Sequence, residues 1–210
     1  MAWTTPGTAT AGEVLTAAFW NANVRDNSVM GSPVYTNEAA RDAAIPTPVD
    51  GMQVYLTAPT EPSGTGMTIT GIRQVYDGAA WTTVSPICGL VTTSEAYSTT
   101  AYGDLATVGP TVSIRTGNSA IVTLSATFDT VAINRGATMS FAVSGATTIA
   151  AADDNSIFAF TNTGQLFVAV SRTFLLTGLT AGVNTFTSKY KEQGGVVNIL
   201  RRSLSITGAA

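Results

Sequence analysis

Ala120-Ile121-Val122-Thr123-Leu124-Ser125-Ala126-Thr127-Phe128-Asp129 is the stretch that decides the fold class. Ala120, Val122, Leu124, Ala126 and Phe128 are apolar at every second position and alternate with Ile121, Thr123, Ser125, Thr127 and Asp129, all polar but the first. Successive side chains of a strand point to opposite faces, so this period buries one face and wets the other. Ten such residues predict a long strand in an antiparallel sheet with one solvated side.

Working outward, the same period recurs. Met139, Phe141 and Val143 alternate with Thr138, Ser140 and Ser144. Phe186 and Tyr190 alternate with Thr185, Thr187, Lys189 and Lys191, and Leu204 and Ile206 with Ser203, Ser205 and Thr207. Further strands are expected at 111–115, 157–160, 165–176 and 196–201. Turn residues separate them: Gly117-Asn118, Arg135-Gly136, Asp153-Asp154-Asn155, Gly178 and Gly194-Gly195. About eight strands in roughly 120 residues predict a β-sandwich or jelly roll over 87–210.

Upstream, residues 35–86 are expected to hold a short helix and a three-stranded meander. Glu38-Ala39-Ala40-Arg41-Asp42-Ala43-Ala44 reads as the helix, stopped near Ile45 because Pro46 disfavours helical geometry in the residue before it. Met52 to Leu56, Ile69 to Tyr76 and Trp81 to Val84 read as the strands, with turns at Asp50-Gly51 and Asp77-Gly78 and a loop over 57–66. So small a sheet hides little apolar area. Tyr76 and Trp81 are therefore expected to pack across to a neighbouring subunit.

Residues 1–34 read as a polar arm running into an amphipathic helix. Thr10-Ala11-Gly12-Glu13 fits a capping box. Leu15, Ala18, Phe19 and Ala22 follow at helical spacing from Val14, with Trp20 and Val24 on the other side. Burying Trp3, Leu15, Phe19 and Trp20 at ~2–3 kcal/mol each does not offset ordering the segment at roughly 1–2 kcal/mol per residue. The segment is expected to dock on a partner or on symmetry mates.

This N-terminal run, Trp3-Thr4-Thr5-Pro6, Gly12-Glu13-Val14-Leu15-Thr16-Ala17-Ala18 and Asn21-Ala22-Asn23-Val24-Arg25-Asp26-Asn27, closely resembles the signature of a family of small structural proteins of tailed bacteriophages. The resemblance implies a virion component made in the host cytoplasm and displayed on the particle surface. It also implies docking to major capsid or tail proteins through Trp3, Val14, Leu15, Phe19, Trp20, Val24, Arg25 and Asp26. Arg25-Asp26 also reads as a solvated helix end. Gly51-Met52-Gln53-Val54-Tyr55 and Tyr76-Asp77-Gly78-Ala79-Ala80-Trp81 resemble a module of phage fibre and tail proteins. Leu179-Thr180-Ala181-Gly182, Phe186 and the closing Arg201 to Ile206 resemble trimeric jelly-roll heads, similar in topology to tumour necrosis factor and C1q-type trimers. That implies a homotrimer acting as head decoration, head fibre or short tail fibre.

Composition narrows the chemistry. The 210-residue chain is 45% hydrophobic and only 11% charged, with Thr its commonest residue. Thr suits the outer face of a sheet. The net charge is −3, with Arg201-Arg202 and Lys189/Lys191 its densest basic groups. Nucleic acid, which needs many cations against its phosphates, is not an expected partner. Membrane insertion is not expected either, since no stretch reaches the roughly 18 apolar residues of a span.

With no histidine and one cysteine, Cys88, the chain offers neither a His-based triad nor a multi-cysteine metal site. Cys88 reads as a buried or linker thiol. Glycoside hydrolysis needs two carboxylates. Glu61, Asp77, Glu95, Asp104, Asp129, Asp153, Asp154 and Glu192 are the pool, but nearly all fall in expected turns or loops. The expectation is a protein that is not an enzyme and carries no cofactor or metal. Asp153-Asp154-Asn155 is weighed as a Ca²⁺ loop but lacks EF-hand spacing. Tyr97 and Tyr102, flanking Ser98-Thr99-Thr100, are the candidate contacts for a host cell-surface glycan. Two alternatives accompany the structural role: a carbohydrate-binding receptor module of the tail, and a cell-wall glycan hydrolase.

Overall fold

The computed structural model describes residues 32–130 and 132–209. Its architecture is mainly β, with two stacked sheets forming a jelly roll and a smaller sheet packed at one end.

The strands are β1 (Val34–Tyr35), β2 (Gln53–Leu56), β3 (Ser63–Gly64), β4 (Ile72–Tyr76), β5 (Trp81–Thr83), β6 (Ile87–Val91) and β7 (Glu95–Tyr97). They continue as β8 (Thr111–Thr116), β9 (Ser119–Thr130), β10 (Arg135–Gly145), β11 (Ile157–Thr161), β12 (Leu166–Thr177), β13 (Gly182–Gln193) and β14 (Val197–Ala209). Helix α1 (Glu38–Ala44) lies between β1 and β2, and a 3-10 turn spans Asp153–Asn155.

One jelly-roll sheet has the order β11-β10-β13-β8-β3 and the other β12-β9-β14-β6, with β7 also pairing on β14. Sequence neighbours such as β8 and β9, or β12 and β13, lie in opposite sheets, while ladder partners such as β9 and β14 are distant in sequence. That is the double Greek-key wiring of a jelly roll. The inner face of β9 is the apolar register read from the sequence. Ala120, Val122, Leu124, Ala126 and Phe128 are sealed from water and face a core that includes Met139, Phe141, Val143, Phe186 and Tyr190.

The two expected segments 196–201 and 203–207 are one strand. A bulge interrupts its register on β9 between Leu200 and Ser203, and Arg201 adopts a left-handed φ of 52°. The bulge inserts one residue and so switches which parity faces inward. Ile199 points in before it and Leu204 and Ile206 after it. Arg201 is left in solvent and Arg202 is turned into the core.

In the smaller sheet, the expected meander β2-β4-β5 gains a fourth strand, because β1 adds in parallel to β2. Asn37 caps α1, its Oδ1 accepting from Ala40 N at 3.0 Å. The segment 57–66, expected as loop throughout, contains β3, which pairs with β8 of the jelly roll. A second tie is bidentate: Arg115 on β8 donates to both carboxylate oxygens of Glu61 at 2.5 and 2.6 Å. At the far side, a Cβ on Gly208 would stand 2.6 Å from the Thr83 carbonyl oxygen, so only glycine permits β14 to approach β5 this closely. The core cluster accordingly runs without a break from Val54, Leu56 and Ile72 into the sandwich.

Candidate functional site

The eight N-terminal docking candidates, Trp3, Val14, Leu15, Phe19, Trp20, Val24, Arg25 and Asp26, lie outside the described residues. Tyr76 and Trp81 lie inside them. Their rings meet edge to face at 5.5 Å. Trp81 is 6% exposed, and it is covered from within the chain by the Arg41 guanidinium, 4.9 Å from the ring centroid. The expected inter-subunit role for Trp81 is therefore corrected: its large face is already spent on α1. Arg41 also donates to Gln74 Oε1 and to Asp42 Oδ1, and Gln74 donates to Thr83 Oγ1 at 3.2 Å. Beside them Glu38 accepts from the Thr60 N–H at 2.9 Å and the Thr60 hydroxyl at 2.8 Å. Burial pushes the Glu38 carboxyl up, but these bonds, with the backbone N–H groups of Glu38 and Glu61, outweigh it and hold the group below its ordinary value.

Tyr97 and Tyr102 do not form a shared platform. Tyr97 is 9% exposed, its ring edge-on to Tyr190 at 6.4 Å and its hydroxyl donating to the Ala101 carbonyl. This side chain belongs to the core. It sits in a buried polar cluster that the sequence did not reveal. Arg202, fully buried, reaches Glu95 Oε2 at 3.1 Å and lies 5.4 Å over the Tyr190 ring. Burial acts to raise the Glu95 carboxyl, yet the Thr107 hydroxyl and N–H and the Arg202 charge bring it down overall.

Tyr102 stands elsewhere, on the outer face of the β10–β13 sheet. Its hydroxyl donates to Asp153 Oδ1 at 2.6 Å, and Lys191 Nζ lies 5.0 Å over its ring while pairing with the same carboxylate. Burial, then the bond to Asp153, raises the Tyr102 phenol, so it stays protonated and keeps donating. Lys191, then Tyr102, holds Asp153 below the ordinary carboxylate range. The 3-10 turn that carries Asp153 is pinned by Ser140, whose hydroxyl bonds the Ala152 and Asn155 carbonyls at 2.8 and 2.9 Å.

Next to this triad opens a depression of about 320 Å³, lined by Thr138, Asp153, Ser156, Phe158 and Gln193. The ladder registers place it: Thr138 on β10 is paired with Phe158 on β11 and with Lys191 on β13. All three side chains share the outer face of the sheet.

The carboxylates weighed for hydrolysis are largely occupied by the fold. Glu61 holds Arg115, Glu95 holds Arg202, Asp104 holds Lys189 at 2.7 Å and Asp153 holds Lys191. Asp77 accepts from the Ala79 and Ala80 N–H groups inside its own turn, and Glu192 accepts from Gly195 N. Among the described residues there is no group of three or more His, Cys, Asp or Glu side chains placed to share a metal ion. Half-buried Cys88 on β6 has its sulfur 3.3 Å from Ser205 Oγ. No helix among the described residues is long and apolar enough to cross a membrane.

No protein-family model matches the sequence, and no curated protein sequence does. Solved structures with similar folds include the VP2 subviral particle of infectious bursal disease virus, at a TM-score of 0.44 and 12% identity over 69% of this chain and 40% of that one. The chain thus spans about two fifths of the VP2 protein it matches. Eiger TNF from S. frugiperda aligns at 0.36 and 12% identity over 58% and 85% of the two chains. A carbohydrate-binding module of Cellvibrio mixtus lichenase 5A, in complex with cellotriose, aligns at 0.27 and 19% over 72% and 88%. Each is a likeness of β-sandwich fold and of nothing further.

Proposed function

We propose that this chain is a non-enzymatic surface protein of a tailed-bacteriophage virion. In this reading its N-terminal arm and helix attach to major capsid or tail proteins, and its jelly roll is displayed as a homotrimeric head. The observation that carries the reading is the N-terminal signature from Trp3 to Asn27, set ahead of a jelly roll whose charged side chains are mostly engaged in holding the fold. The mechanism is assembly: many weak sites on a repeating lattice act together through avidity.

Self-association has its own support. β12 pairs with β9 on one edge, and its other edge has no ladder partner among the described strands. This twelve-residue edge carries Phe167 and Leu175, 60% and 66% exposed. Long apolar edges invite pairing, and stable proteins cover them.

The test uses the full chain and purified empty heads and tails. Full-length protein is expected to co-sediment with one of them and to run as a trimer in analytical ultracentrifugation. A Leu15→Asp, Phe19→Asp variant is expected to stay folded but lose co-sedimentation. Binding retained by that variant, or no binding to either particle part, overturns the reading. A second reading, carbohydrate recognition, is favoured by one observation, the depression beside Phe158.

A further inference from the structure

We propose that the depression between β10, β11 and the 3-10 turn is a binding site for a short neutral carbohydrate. The inference deepens the second reading, carbohydrate recognition, on which it rests, and is independent of particle attachment.

Three features point to a sugar. First, Phe158 is 62% exposed, on the solvent face of the sheet and at the wall of a cavity. A flat apolar ring in that position matches the C–H face of a pyranose. Second, the rest of the lining is polar and varied. The Gln193 amide both donates and accepts, the Asp153 carboxylate accepts, and the Ser156 hydroxyl keeps acceptor capacity after donating to the Asp153 carbonyl at 2.7 Å. Ring hydroxyls, which are donors and acceptors at once, need such a mixture. Third, Thr138 lines the same depression at 2% exposure, and its hydroxyl has no hydrogen-bond partner among the described residues. A buried polar group left unpaired is costly, so the floor of the depression holds one unspent hydrogen-bonding group.

The electrostatics select a neutral ligand. Lys191 balances Asp153 at 2.5 Å, and among the described residues no other charged side chain lines the depression. An anion would meet the Asp153 carboxylate, and a cation would compete with Lys191 for it. The volume, about 320 Å³, is at the small end for ligand sites and suits one or two sugar rings. The site is also pre-organised. Tyr102 and Lys191 orient the carboxylate, and Ser140 anchors the turn, so little ordering is left for binding to cost.

The test is a titration of the full chain with methyl glycosides of glucose, galactose, mannose and N-acetylglucosamine, and with cellobiose, maltose and lactose. Saturation-transfer NMR and calorimetry are the readouts. At least one sugar is expected to bind saturably, with a Kd on the order of 1 mM. Phe158→Ala and Gln193→Ala should each weaken it at least about tenfold at unchanged melting temperature. Phe167→Ala, an equally exposed ring on the other sheet, should leave it unchanged. No saturable binding across the panel overturns the proposal. So does binding that survives Phe158→Ala, or that Phe167→Ala removes equally. A change of oligomeric state in Phe158→Ala without any sugar binding would assign the ring to a protein contact and also overturn it. None of these outcomes bears on co-sedimentation with phage particles, so the two readings fail separately.

Discussion

In the jelly roll, the inner faces of β9 and β10 meet through Leu124, Phe128, Met139 and Phe141, none of them more than 1% exposed. In the unit of α1, β1, β2, β4 and β5, the space beside Val54, Leu56, Ile72 and Trp81 holds Arg41, Glu38 and Gln74. The larger sheets enclose enough volume for these rings and aliphatic chains to pack on one another, with Arg202, Asn184 and Ser188 as fully buried polar exceptions. Four short strands do not, so the small sheet covers its tryptophan with a guanidinium and satisfies each polar group locally. Apolar packing tolerates some change of shape at fixed volume. A buried polar network depends on every member being present.

The largest expected effect tests the first half of this contrast. Phe128→Ala removes a fully buried ring from the sandwich and should cost about 3–5 kcal/mol. Chemical denaturation with amide exchange in β9, β12 and β14 measures it. Arg41→Ala comes next. It leaves Gln74 short of a donor and uncovers Trp81, at a cost of about 1–3 kcal/mol. Exchange should accelerate over residues 72–83 while β9 keeps its protection. If β9 loses protection equally, the ties through β3 and Arg115–Glu61 make the two regions one cooperative unit, and the contrast fails.

The smallest effect is on pH dependence. Glu38 titrates in the folded protein below its ordinary 4.5. The unfolded chain therefore takes up the proton first as pH falls. The stability that Glu38 contributes is present above about pH 4.5 and is lost as pH drops through the folded value. Glu38→Gln should flatten the acid limb of exchange in the small unit and leave that of β9 unchanged. An unchanged acid limb in the small unit would show that its carboxylate network is incidental.

The strands around Leu124, Met139, Phe186 and Leu204 were legible because one of their faces is wet, which leaves a period of two in the sequence. Helix α1 was legible from its alanines and Pro46. The outer face of β11 was not. Ile157, Phe158, Ala159 and Phe160 are apolar on both sides, so alternation cannot say which ring meets water. The structure puts Phe158 and Phe160 outside. Tyr97 and Tyr102 are five positions apart and looked like a pair. A turn of the chain sends one into the core beside Tyr190 and the other to Asp153. Arg201-Arg202 read as a small basic cluster, and a single bulge separates the two.

Local alternation, turn residues and a proline are properties of neighbouring residues, so the sequence by itself determined that this is a β-sandwich with a small appended sheet. Which charges pair is a matter of distances between residues far apart in the chain: Arg115 with Glu61, Arg202 with Glu95, Lys191 with Asp153. Such meetings depend on strand order and register, and a one-residue slip or bulge reverses which face each side chain joins. Only the tertiary structure decided them, and with them the depression beside Phe158.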